Sequence, residues 1–303
     1  MAVQVSKKHT FTGHRGSLYT LQKAGAPHHF FSAGGDGLIV LWDLETCDDG
    51  QLIAQLPNTI YSLHYLSDKN LLVAGQNFSG IHLIDYQNKK EIASLQLTSS
   101  AIFDIQSYQN DLLVATGDGQ LLIVDIGRLV VKSKIHVSQK SARTIAVNPL
   151  SGEMAVGFSD HKIRIFDLEQ YKLKTEIDAH LNSVFTVAYS PDGNILISGS
   201  RDARLKAWDV QAGYSLCEEV AAHIYAINHL VFSPDGRYVA TGSMDKTVKV
   251  WNATSLKLLK VIDKSRHGGH AASVNKLLWT PYKNQLLSAG DDRIISAWDL
   301  LFL

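Results

Sequence analysis

Four times along the chain a histidine stands 18 residues before a serine or threonine, that residue four before an aspartate, and the aspartate six before a tryptophan. The sets are His14, Ser32, Asp36, Trp42; His180, Ser198, Asp202, Trp208; His223, Thr241, Asp245, Trp251; and His270, Ser288, Asp292, Trp298. A hydroxyl, an imidazole and a carboxylate invite hydrolytic chemistry, with a nucleophile, a base and a group that orients the base. The first set lies in SAGGDGLIVLWD (32–43), whose glycines and acid also suggest a phosphate cradle. Neither chemistry fits. A triad needs one nucleophile exposed to substrate, and an enzyme has no use for the same triad in copy after copy. No Gly-Lys-Ser/Thr follows the glycines, as a phosphate loop demands. The reading that remains is mechanical: a hydrogen-bonded chain Trp–Ser/Thr–His–Asp that ties three strands together. Such a network rigidifies when buried and fully satisfied, and is costly when half satisfied.

The elements that must hold these residues repeat with them. Trp42-Asp43 returns as Trp208-Asp209, Trp251-Asn252 and Trp298-Asp299, and weaker copies at Ile84-Asp85, Val124-Asp125 and Phe166-Asp167 fill the gap. The successive intervals are 42, 40, 42, 42, 43 and 47 residues, which makes seven units and leaves no room for a second domain. Within a unit the pattern is strand, turn, strand, tight turn, strand: SVFTVAYS, SPDG, NILISGS, RDA and RLKAWDV in unit 5. A fourth, more variable strand follows each Trp-Asp, such as GQLIAQL (50–56), and no segment of useful length has a helical period. The histidine then precedes the first strand, the hydroxyl residue lies on the second, the aspartate in the tight turn and the tryptophan on the third.

Seven units of four strands, with a third strand that closes on Trp-Asp or a weaker copy of it, resemble the WD40-repeat family over essentially the whole chain. The resemblance implies an all-β fold: one seven-bladed β-propeller over residues 1–303, each blade a four-stranded antiparallel sheet. It identifies the His–Ser/Thr–Asp–Trp sets as the family's structural tetrads. It also implies how the ring closes. The last unit, IISAWDLLFL, stops after its third strand, and residues 4–11, QVSKKHTF, supply the missing fourth. Units 2, 3 and 4 depart from the tetrad. Val114 and Val156 replace the hydroxyl residue, the histidine is missing, and unit 2 reads as lacking the aspartate and gaining a turn residue. Apolar packing is expected to hold these blades.

Composition narrows the function classes. Lys plus Arg and Asp plus Glu are 29 each, so the net charge is zero, which argues against bulk binding to nucleic acid or anionic membrane. The two cysteines, Cys47 and Cys217, form no C-x-x-C pair and fit a reducing compartment. The start lacks the apolar run of a secretory signal. The expectation is a soluble, intracellular and most simply cytoplasmic protein, with no appended enzyme or tail and no membrane association. His28-His29 and His267-Gly-Gly-His270 have no cysteine or carboxylate at ligand spacing, so no metal or other cofactor is expected. The SPDG segments and Asp48-Asp49-Gly50 read as turns, and Lys132, Lys134, Lys140 and Arg143 as a solvated basic run.

Two classes of function follow, with a third beside them. The first is a non-catalytic protein-interaction scaffold that binds a peptide or partner domain on the face bearing the tetrad aspartates. The second is a propeller-type hydrolase, which needs channel carboxylates or a triad on long insertions; the short loops leave little chain for either. The third is a nucleic-acid-associated adaptor using the basic loop DKSRHGG (263–269), where unit 7 carries its extra length with Lys264 and Arg266. That loop could equally form a basic lip over the pore. In the family the residue five after the tetrad histidine contacts partners, which gives Tyr19, Phe185, Asn228 and Asn275. Alignment by strand pattern adds Tyr61, Phe103 and Arg143 for the units without the histidine. Arg201, just before the Asp of unit 5, joins them. An arc of aromatics with arginines is expected at the pore mouth, anchoring a peptide and orienting a carboxylate. No small-molecule substrate is expected.

Overall fold

The computed structural model describes residues 3–303. Seven four-stranded antiparallel sheets form a ring. Blade 1 runs from the pore outward as Leu18–Lys23, His29–Gly34, Leu38–Asp43 and Gln51–Gln55, and blades 2 to 6 repeat that order. The middle strands are apolar on both faces because each is sandwiched between neighbouring blades, so their sequences read as continuous rather than alternating runs. The outermost strands carry mostly exposed residues, for example Leu173–Asp178, which is why their sequences vary most. The only helical turns among the described residues are Lys264–His267 and Tyr282–Asn284.

The ring closes as the repeat pattern implies. Val3–Phe11 pairs antiparallel with Ile295–Phe302, from Val3 opposite Phe302 to Phe11 opposite Ile295, and forms the outer strand of blade 7. Val3 and Phe11 are buried at the two ends of the pairing, so the strand is fastened by side chains as well as by its ladder. Closure leaves the sheet without a loose edge at the join.

Each innermost strand carries a β-bulge at the same place. The register skips one residue between Leu18 and Thr20, Ile60 and Ser62, Ile102 and Asp104, Ala142 and Thr144, Val184 and Thr186, Ile227 and His229, and Val274 and Lys276. The residues left over are Tyr19, Tyr61, Phe103, Arg143, Phe185, Asn228 and Asn275. A bulge re-aims the extra side chain, here seven times in register around the pore.

One expectation is corrected. The tight turn of blade 2 gains no residue: Gln76 pairs with Gly80 across three residues, the same span that separates Gly34 from Leu38 in blade 1. Phe78 takes the aspartate's place, in a left-handed backbone conformation (φ 62°). Substitution, not insertion, breaks the pattern there.

Candidate functional site

The four residue sets lie as hydrogen-bonded chains. In blade 1 Trp42 Nε1 donates to Ser32 Oγ (2.8 Å), Ser32 Oγ lies 2.7 Å from His14 Nε2, and His14 Nδ1 lies 2.9 Å from Asp36. The corresponding spacings are 2.9, 2.8 and 3.1 Å in blade 5. In blade 6 all three are 2.8 Å. Blade 7 shows 2.8, 2.8 and 2.9 Å. The donors run one way: indole N–H to hydroxyl, hydroxyl to Nε2, Nδ1–H to carboxylate. Asp36 also accepts the Arg15 and Leu38 N–H groups. Burial alone would raise its pKa, but those amides and His14 outweigh it and hold the carboxyl below its usual value. Burial lowers His14 and His223 against the pull of their aspartates, keeping the imidazoles neutral. Ser32, Ser198, Thr241 and Ser288 have no exposed surface, so no substrate can reach a hydroxyl in any of these sets.

Blades 3 and 4 replace the chain piecemeal. Val114 and Val156 are fully buried in place of the hydroxyl residue. Ser138 donates to Asp160 (2.7 Å) from the position the histidine would occupy, and Arg164 adds an ion pair to the same aspartate (2.9 Å). Asp118 instead accepts from Thr116 and Gln120. The Trp-Asp acids act as turn formers: Asp43, Asp85, Asp125, Asp167, Asp209 and Asn252 each accept the N–H of a residue two or three further on.

The seven bulge residues line one cavity of about 650 Å³ at the pore. Five of them form a continuous arc. Tyr19 meets Tyr61 edge-on at 4.8 Å between ring centres, and Tyr61 stacks on Phe103 at 5.5 Å. The Arg143 guanidinium sits 4.1 Å over Phe103 and 5.4 Å from Phe185. Arg143 Nε donates to Ser159 Oγ (2.8 Å), which fixes the plane of the guanidinium. Burial lowers the Arg143 pKa, Tyr61 opposes that, and the neighbouring positive charge of Arg201 adds to it.

A family model described as "WD domain, G-beta repeat" matches residues 5–43, 171–209, 215–252 and 261–299, just over half of the chain. The chain belongs to the WD40-repeat family. The matched stretches are the units with complete tetrads, and the unmatched units 2 to 4 are those where Val114, Val156 and Phe78 replace tetrad residues. No curated protein shows a significant match to the chain. Among the described residues no helix is long and apolar enough to cross a membrane.

Within this WD40 ring the sequence-derived positions divide. Tyr19, Tyr61, Phe103, Arg143 and Phe185 meet at the mouth, half-buried, and Arg201 is exposed beside them. Asn228 and Asn275 also reach the mouth, but their amides are committed. Asn228 donates to Val274 O and Ser273 Oγ (2.9 Å each), and Asn275 donates to Leu18 O (3.0 Å) and Asp291 (2.7 Å), clamping blade 6 to blade 7 and blade 7 to blade 1. Lys264 and Arg266 stand elsewhere. Their loop forms a short helix, capped by Asp263, that packs against the outer strand of blade 7, where Lys7 donates to Gly268 O (2.8 Å). Arg266 is paired with Asp263 (2.5 Å), so the loop is neither a lip over the pore nor strongly basic. Asp43 pairs with His29 across the sheet, bringing one ligand atom each from His28, His29 and Asp43 within 4.8 Å of one another. That carboxylate was invisible at ligand spacing in the sequence. Three donors fall short of a closed tetrahedral site, and Asp43 already accepts the Glu45 N–H.

Sequence reasoning missed two groups. Leu181, Ile224 and Tyr225 are exposed large apolar side chains in the loops after the tetrad histidines, and Phe78 is exposed in the tight turn of blade 2; Met244, at the position just before Asp245 that the family resemblance marks for contact, is exposed as well. All belong to the face that carries the mouth. Deeper in the channel, Asp104, His229 and Lys276 line the cavity. They follow the bulge residues, where the other blades have Thr20, Ser62, Thr144 and Thr186. Aligning the repeats column by column marks them as ionisable side chains in a row of small hydroxyls. Asp104, Thr186 and His229 also link blades, accepting the N–H of Ile145 (2.7 Å), Leu230 (3.1 Å) and Leu277 (3.3 Å).

Proposed function

We propose that the chain is a non-catalytic interaction module that binds a peptide or a loop of a partner protein over the pore mouth, anchored on Tyr19, Tyr61, Phe103, Arg143 and Phe185. The observation that carries this reading is the unbroken aromatic–arginine arc around a cavity large enough to receive side chains. Aromatic residues and arginine dominate the energetic centres of protein interfaces, where a few half-buried groups gain most from desolvation. The exposed Leu181, Ile224, Tyr225 and Met244 on the same face are what a docking surface carries around such a centre. The Ser–His–Asp sets, which would support a hydrolase, are sealed inside the blades.

Each true anchor should cost about 1–3 kcal/mol of binding when cut to alanine. Little stability should be lost, because blade cores are built from other residues. The test selects binders from a random peptide library on the immobilised protein and remeasures them against Tyr61→Ala and Phe103→Ala, with melting temperatures alongside. Binding that survives both variants while their melting temperatures fall would make the arc core packing and refute the site.

A further inference from the structure

The mouth and channel carry more positive charge than their walls satisfy. Arg143 uses Nε on Ser159, while its two Nη groups make no hydrogen bond or ion pair among the described residues. Arg201 stands close enough to Arg143 for the two cations to disfavour each other, and among the described residues no carboxylate pairs with either. Further in, the Lys276 ammonium lines the cavity without a hydrogen bond or ion pair among the described residues. Burial lowers its pKa, and the distant charge of Asp104 only partly opposes this. Asp104 is not a free counter-charge. Its oxygens accept the Ile145 N–H and the Gln106 amide, and burial raises its pKa despite Lys276 and those donors. Burial also holds His229 well below its ordinary value, so it adds no charge. Unpaired donors facing a cavity are costly unless something else satisfies them.

We propose that the channel is a carboxylate-binding site, and that the bound peptide is read by an acidic side chain whose carboxylate enters through the aromatic mouth to the free fork of Arg143, with Lys276 behind it. The proposal rests on the interaction-module reading above and names its ligand class. Arginine's planar fork matches a carboxylate in two parallel hydrogen bonds, and a partly desolvated site makes them stronger. A cationic ligand, the other guest that aromatic cages take, meets a filled seat. The faces of Phe103 and Phe185 already hold Arg143, and Arg201 and Lys276 would repel a second cation. The apolar rim and the zero net charge of the chain favour a protein segment over a polyanion.

The test uses the same library selection. Enriched peptides are synthesised with each Glu or Asp and with its Gln or Asn counterpart, fluorescein-labelled, and titrated by polarisation against wild type, Lys276→Met, Lys276→Gln and Arg143→Gln. Expected are enrichment in acidic residues and a loss of about tenfold or more when the key acid is amidated, as befits a charge-assisted contact. The Lys276 and Arg143 variants should lose similar affinity and no longer distinguish Glu from Gln, with Lys276→Met at least as heat-stable as wild type. Peptides that need Tyr61 and Phe103 but show no acidic preference, or that are enriched in lysine and arginine, overturn the carboxylate site and leave the module reading standing. Peptide binding insensitive to Tyr61→Ala and Phe103→Ala, or no binding at all, overturns both.

Discussion

Ser198→Ala in blade 5 isolates what a tetrad contributes. The Ser198 hydroxyl receives the Trp208 indole N–H at 2.9 Å and faces His180 Nε2 at 2.8 Å, and it has no exposed surface. Alanine fits the space but strands two buried polar atoms, at about 1–3 kcal/mol each, so the expected loss is about 4 kcal/mol. With an unfolding entropy of about 2 cal/mol/K per residue, a 303-residue ring melting as one unit should lose about 6 °C. The assay is differential scanning calorimetry on Ser198→Ala, Trp208→Phe and the pair. The double variant should cost less than the sum by about 1–2 kcal/mol, because contacting partners couple. Blade 3 shows why: Val114 and Val124 stand in the two positions with no exposed surface and leave nothing unpaired. A loss below about 1 kcal/mol for Ser198→Ala, or strict additivity, would mean that packing alone holds the blade and that the network reasoning is wrong.

Acid should destabilise the fold in two stages. Burial lowers His14, His223 and His229, and pulls His64 down to about 4 with the Lys23 charge adding, all from an ordinary value of 6.5. The unfolded chain therefore binds more protons below pH 6.5, and stability falls as pH drops from there towards 4. Asp36, Asp202, Asp245 and Asp292, all held below 3.8 by their histidines and backbone amides, extend the loss further down. A melting temperature that stays flat from pH 7.5 to 4.5 at constant ionic strength would contradict the buried neutral imidazoles. Deleting residues 1–11 removes the outer strand of blade 7 and exposes the length of Ile295–Phe302. Soluble yield or melting temperature should fall sharply, and a truncated chain that melts like the full one would refute closure by that strand.

The ring was legible because its period is carried by residues with non-negotiable partners. A Trp N–H and a His Nε2 both need the same hydroxyl, so spacing alone located strand, turn and strand. The equivalent positions on the innermost strands could be read off as well, since the strand pattern aligned Tyr61, Phe103 and Arg143 with Tyr19 and Phe185 without a histidine to count from, although nothing in the sequence marked them as bulges. What spacing could not show was how side chains are spent. Asn228 and Asn275 occupy contact positions but give their amides to neighbouring blades, and only the distance between blades reveals that. Asp263 caps the Lys264–His267 turn and pairs with Arg266, so half of the positive charge in a stretch that reads as basic is offset locally. Lys276 was overlooked because one lysine in an apolar strand resembles a surface residue until its six counterparts are placed around the same channel.

The pairing of Val3–Phe11 with Ile295–Phe302 also sets an order of events during synthesis. The strand Val3–Phe11 must wait for its partner, with the other strands of the ring translated in between. The wait is cheap at equilibrium: stretching a closure from one repeat to the full ring adds only about 2 kcal/mol of loop entropy, since the cost grows with the logarithm of length. It is expensive in time, because a nascent strand with the alternating pattern of Val3–Phe11 is an open template for any passing edge. Lys7 and Lys8 on that strand then have a use before the fold exists. Two adjacent charges keep the waiting segment solvated, and only later does Lys8 find Asp299 (3.0 Å) across the finished seam.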